Sequence, residues 1–205
     1  AARYTEGRMI LGGHSKGGNL ALYAAACAPQ QIQERIRRIY SFDGPGFRRS
    51  FYEKPGFCRI RRKCCKIMPE QAIVGAMFVN GSDYRVVRSY GTGMGQHDPM
   101  QWMIRDGKFV YLKEVRSKNA RKSAIFNSWM DSLSRQQIIL FVEMTYRLLR
   151  AAHVTNVSQL MKKPFHILRM VCSGFCQMDR YYQNSFWQIL RKLFETARNY
   201  RHGGS

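Results

Sequence analysis

The chain reads as an α/β protein: a mostly parallel sheet with flanking helices over residues 1–112, then a helical extension over residues 113–205. Three observations predict this. Short apolar runs alternate with helix-forming stretches along the first half, the rhythm of βαβ units. One apolar run, Met9-Ile10-Leu11, passes through a glycine-flanked serine directly into an alanine-rich helix former. From Ser134 onward the apolar residues recur at helical spacing.

Taken in order, a strand is expected over 9–12, a helix over 16–28 and a strand over 38–42. Further strands are expected near 64–68, near 73–79 and over 84–89. Trp102–Leu112 reads as a hairpin, because Asp106-Gly107 suits a two-residue turn whose central residues both need positive φ. Ser134-Arg135-Gln136-Gln137 is a capping box, followed by Ile138, Phe141, Val142, Thr145, Leu148 and Leu149 on one helical stripe. Near the end, Phe186, Ile189, Leu190, Leu193, Phe194 and Ala197 form a second stripe. Arg191, Lys192, Arg198 and Arg201 fall mainly off it. Such a stripe packs on its own domain or lies on an anionic membrane; packing is expected here.

With 205 residues, 45% of them hydrophobic, the chain can bury a core. Its 12 Phe, 11 Tyr and 3 Trp argue against disorder. No apolar run is long enough for a membrane span, and no signal-peptide pattern stands in Ala1–Glu6. His202–Ser205 reads as a tail. The six cysteines include no pair of zinc knuckles and are expected to be reduced thiols in a cytoplasmic protein. Cys172 and Cys176, four apart, are expected on one buried helix face.

The net charge is +21, and it is spread along the chain. Residues 1–110 carry 18 basic and 8 acidic side chains, and residues 111–205 carry 16 and 5. The densest cluster is Arg59–Lys66. A field of this sign attracts polyanions: nucleic acid, anionic lipid or an acidic substrate. No recognised nucleic-acid-binding motif accompanies it.

Gly13-His14-Ser15-Lys16-Gly17 fits G-x-S-x-G, the strand–turn–helix of a nucleophile elbow. A side chain at either flanking glycine is expected to collide with the neighbouring strand or helix. The elbow holds Ser15 at the positive end of the following helix; a plainer role for Ser15 is that of helix N-cap. A serine hydroxyl becomes a nucleophile only when a base takes its proton, and the base needs an orienting carboxylate.

Five histidines are available. His14 lies on the elbow itself and is expected to point away. His153 and His166 fall in helical stretches, and His202 in the tail. His97 remains, in the glycine-rich loop Gly91–Pro99 that follows a strand. For the acid, Asp43 ranks first because it follows the strand over 38–42 and so shares a sheet edge with Ser15. Glu70, after another strand, and Asp83, before one, remain as alternatives. The backbone N–H of Lys16 is the first oxyanion donor of such a site. No metal or cofactor is needed for this chemistry.

Several blocks together resemble a known family: Gly12–Ala21, Ile39–Phe47, Ile73-Val74-Gly75, Val87-Arg88-Ser89 and Gln96-His97-Asp98. They are similar to the Mbeg-like family, a bacterial α/β-hydrolase group catalogued as a domain of unknown function and distantly similar to the class 3 lipases. The stretches around Asn127–Trp129 and Phe141–Glu143 resemble that family's ending. The resemblance implies a partial α/β-hydrolase fold. In that fold the elbow follows the fifth strand, and here it is reached at residue 15, so residues 1–112 read as the carboxyl-terminal part of the core, lacking its amino-terminal strands. The loop that donates the second oxyanion N–H is also not found.

The implied function is a serine hydrolase of esterase or lipase type, with a Ser15–Asp43–His97 triad acting on a small-molecule or lipid ester, or a truncated fragment of such an enzyme. The alternative is a non-catalytic, hydrolase-derived module that binds nucleic acid or anionic lipid through its basic residues.

Overall fold

The computed structural model describes residues 7–78, 81, 83–113, 117–153 and 164–202. Residues Ala1–Glu6 and the last three residues of the tail, where parts of the sequence expectation fall, lie outside the described residues. Two compact units are present, Ala1–Asn127 and Ser128–Ser205.

The first unit is built on a five-stranded sheet. Strands β1 (Met9–His14), β2 (Ile36–Phe42), β3 (Cys64–Pro69) and β4 (Tyr84–Val87) lie side by side in chain order and run parallel. Strand β7 (Tyr111–Leu112) adds antiparallel to β4. Because β1–β4 are parallel, the loops leaving them all emerge at one rim, where ligands of open parallel sheets bind. The hairpin forms as expected: β5 (Ile104–Arg105) pairs with β6 (Lys108–Phe109) around Asp106 at φ 51° and Gly107 at φ 71°.

One sheet face packs against α1 (Lys16–Cys27) and α4 (Pro55–Ile60), with α2 (Gln30–Arg35) and α3 (Arg49–Tyr52) between them in the chain. Leu22, Ala25, Ile36, Ile39, Phe57 and Ile60 are buried there. Full burial of each large side chain is worth about 1.5–3 kcal/mol. A buried amide finishes the layer: Nε2 of Gln33 donates to the carbonyls of Ala25 (2.8 Å), Ala26 (3.1 Å) and Gly56 (3.1 Å). It thereby satisfies acceptors that the end of α1 leaves open. The other face is covered near the rim by Trp102 and Phe109, which pack on Ile67, Val87 and Phe42.

The strand expected near 73–79 does not form in the described part of that segment. Residues 73–78 make a turn whose backbone groups are taken up locally. Gly75 N donates to a side chain of β2's exit, and Met77 O accepts from Gly46 N at 2.9 Å. Phe78 N donates to Oδ1 of Asn127 at 2.5 Å, and Phe78 sits at φ 62°. Those bonds replace the ladder that its apolar composition suggested. Asn127 belongs to the last turns of α5 (Ser117–Asp131), so its amide ties that part of the helix to this turn.

The second unit is helical, with α6 (Arg135–Ala151), α7 (Pro164–Cys176) and α8 (Arg180–His202). The Ser134–Gln137 capping box is formed in both directions. The buried stripe of α6 is shifted from expectation: Met144 and Leu148 are buried, whereas Val142 is 59% exposed. On α8, Ile189 is buried and Phe194 is 66% exposed. Cys172 and Cys176 are exposed, contrary to the buried face expected of them, since Leu148 and Ala151 of α6 face Gly174 instead. All six cysteines are free thiols. Among the described residues no helix is long and apolar enough to cross a membrane.

Candidate functional site

β1 ends at His14, and the chain turns sharply into α1 through Ser15 at φ 55°, ψ −128°. That backbone conformation is uncommon for a residue with a side chain and marks a strained turn. Ser15 N donates to Phe42 O at 2.8 Å, continuing the parallel ladder and fixing the serine beside the exit of β2. The Ser15 side chain does not cap α1, so the N-cap role fails. Among the described residues its hydroxyl has no hydrogen-bond partner, and the backbone N–H of Lys16 has no backbone acceptor. The Lys16 ammonium is turned back to Asn19 Oδ1 at 2.8 Å.

The glycines around the turn are not equivalent. A Cβ on Gly13 collides with the backbone of Gly17, and one on Gly18 would come within 2.6 Å of Ser41 Oγ and 2.8 Å of Gly13 O. Gly17, expected to be as crowded as Gly13, has nothing within 4 Å of such a Cβ. The second close approach is made by Gly18, the residue of α1 that rests on β2.

The residue after β2 is Asp43, at φ 45° and 1% exposed. Its two carboxylate oxygens have different tasks. Oδ1 accepts from Gly75 N at 2.9 Å. Oδ2 lies 2.7 Å from Nδ1 of His97. Gly75 lies so close that a Cβ there collides with Oδ1. Gly75 O in turn accepts from the buried Lys66 ammonium at 2.6 Å. Burial pulls the Lys66 pKa down to about 8, against the nearby Asp43 charge, which favours the protonated form.

His97 closes the short 3₁₀ turn Gly93–His97 after β4. Its backbone support comes from Gln96, which is 1% exposed. Gln96 Nε2 donates to Gly91 O (2.8 Å), and its Oε1 accepts from Gln71 N (2.9 Å). Trp102 Nε1 donates to Gln96 O at 2.8 Å. With Nδ1 bonded to Asp43, the other ring nitrogen of His97 carries the free lone pair in the neutral form.

Ser15, Asp43 and His97 therefore stand on one rim, and the histidine and aspartate meet there. The other acids do not join them. Glu70 is buried at the end of β3 with its N–H on Val87 O. Asp83 is exposed before β4, at the opposite edge. Asp98 accepts from Met100 N in its own turn.

The sequence reading set His14 aside, yet its ring centroid lies 4.5 Å from that of His97 and its Nε2 donates to His97 O at 2.7 Å. Alternation along β1 was the signal for this, since His14 shares a face with Ile10 and Gly12. Lys66 and Gln96 were missed as well. A lysine inside a strand and a glutamine in a glycine-rich loop carry no local mark of burial. Among the described residues no cluster of His, Cys, Asp and Glu is arranged to hold a metal ion.

Comparison with curated proteins and with solved structures gave no match. Residues 1–147 match the family model described as Mbeg1-like, and the chain belongs to that family.

Proposed function

We propose that this chain is a serine hydrolase core of α/β-hydrolase type that cleaves an ester or acyl substrate. The observation that carries this reading is the 2.7 Å contact between His97 and a fully buried Asp43, at the rim where Ser15 occupies a strained strand-to-helix turn. A carboxylate kept from water and held by Gly75 N orients the imidazole and stabilises its protonated form. The free nitrogen of His97 takes the Ser15 proton as Oγ attacks the carbonyl carbon, forming the acyl-enzyme. It returns that proton to the leaving alcohol, and water then repeats the sequence to release the acid. The Lys16 N–H at the start of α1 faces the charge that develops on the carbonyl oxygen.

The test is a fluorophosphonate probe on the full chain, with mass spectrometry of the labelled peptide and hydrolysis of a p-nitrophenyl acyl ester as readouts. Labelling at Ser15 that disappears in Ser15→Ala and collapses in His97→Ala is expected. A folded chain that is unlabelled at Ser15 overturns the reading.

A further inference from the structure

A cavity lies toward the opposite edge of the same sheet. By the ladder register, Tyr40 pairs with Cys65, Ile67 with Arg85, and Val87 with Tyr111, so these side chains share one face with Arg38, two residues before Tyr40. Near the rim that face is covered by Trp102 and Phe109. Toward the amino ends of the strands it opens into a cavity of about 670 Å³. Its lining includes four arginines, Arg38, Arg61, Arg62 and Arg85, together with Tyr40 and Tyr111. Among the described residues Asp83 is the one carboxylate in the lining.

The four arginines come from three segments: Arg38 from β2, Arg61 and Arg62 from the turn before β3, and Arg85 from β4. Among the described residues none of them is ion-paired. Two are held in place by other means. Arg38 Nη1 donates to Arg62 O at 3.4 Å, and the Arg85 guanidinium stacks over the Tyr111 ring at 5.4 Å from its centroid. Like charges fixed around a concavity repel one another, and a multiply charged anion relieves that repulsion. Guanidinium groups match phosphate oxygens in pairs and keep their charge at any physiological pH. A cavity of this volume is sized for a small organic molecule. It is far larger than one phosphate, and its tyrosines offer ring faces beside the cations.

We propose that this cavity binds a small molecule bearing a di- or triphosphate, independently of chemistry at Ser15. The shared chemistry is the polyphosphate group, free or attached to a nucleoside. Nucleic acid calls for a basic track along the surface, and a membrane for a convex or flat one; here the cations line a concave wall.

The experiment is calorimetric titration of the full chain with inorganic pyrophosphate and with ADP, at two salt concentrations. Parallel arms use phosphatidylserine vesicles and a single-stranded RNA. Either small probe is expected to bind, and ADP binding tighter than pyrophosphate assigns the nucleoside-bound form. Arg38→Glu with Arg85→Glu is expected to weaken binding by about tenfold or more, while Arg105→Glu, outside the cavity lining, leaves it unchanged. Asp83→Asn removes the opposing charge and is expected to tighten binding several-fold, a gain that misfolding cannot mimic. Ser15→Ala is expected to bind as the parent does, so failure of the hydrolase reading leaves this one standing. Binding of vesicles or RNA alone overturns the proposal. So does an equal loss in Arg105→Glu, or Asp83→Asn binding no tighter than the parent.

Discussion

Nδ1 of His97 stands 2.7 Å from Oδ2 of Asp43, and the carboxylate is 1% exposed. A bond of that length to a buried carboxylate selects one tautomer of the imidazole, with its lone pair on the outward nitrogen. Asp43→Asn keeps the shape but offers an amide that can donate to Nδ1 and leave the proton on the wrong nitrogen. The expected result is a fall of about 10⁴-fold in the rate of fluorophosphonate labelling at Ser15. Circular dichroism should stay unchanged.

The glycines of the elbow make a sharper test of the turn. Gly13→Ala drives its Cβ into the backbone of Gly17, and backbone cannot step aside as a side-chain tip can. A loss of about 2–3 kcal/mol is expected from the urea midpoint. Gly17→Ala meets nothing within 4 Å, and alanine is the better helix former by about 0.5–1 kcal/mol. That variant is expected to match or exceed the parent in stability and to keep its Ser15 labelling.

Lys66 predicts a pH dependence of stability. Its pKa is lowered from 10.5 to about 8 in the folded chain, so the unfolded chain binds the proton more tightly. Below pH 8 both states are protonated and the full cost of burying the ammonium is present. As pH rises from about 8 to 10.5 the folded state sheds its proton first, and stability rises. The gain is on the order of 3 kcal/mol. Urea midpoints at pH 7 and pH 10 should show this rise in the parent relative to Lys66→Met, in which it is missing; parallel curves would refute it.

Much of this was legible in the sequence because it is local. The turn at Ser15, the Asp106-Gly107 hairpin and the Ser134 cap each depend on residues within a few positions of one another. Asp43 and His97 were legible for another reason: parallel strands put their exits on one rim, so the position after each strand is informative. Lys66, Gln96 and the Gly75 contact were not. Each depends on a partner brought in by tertiary packing, and residues 73–78 followed those partners in place of their apolar composition. The stripe of α6 failed similarly, since the pattern allowed either Val142 or Met144 to face inward and only the neighbouring helices decide which.

Gln96 supplies the last prediction. It precedes His97 and is buried, and its side chain joins three parts of the loop cluster by bonding Gly91 O and Gln71 N while its carbonyl accepts from Trp102. Gln96→Leu fills nearly the same volume but leaves one carbonyl and one N–H without partners. An unpaired buried group costs about 1–3 kcal/mol, so the urea midpoint should fall clearly. Ser15 labelling should slow by about tenfold, less than in Asp43→Asn, because the histidine keeps its carboxylate and loses only the rigidity of its support. Trp102→Phe removes one donor from the same cluster together with part of a buried ring, and should lower the urea midpoint as well. If Gln96→Leu lowers stability while labelling stays at the parent rate, the loop does not set the position of His97.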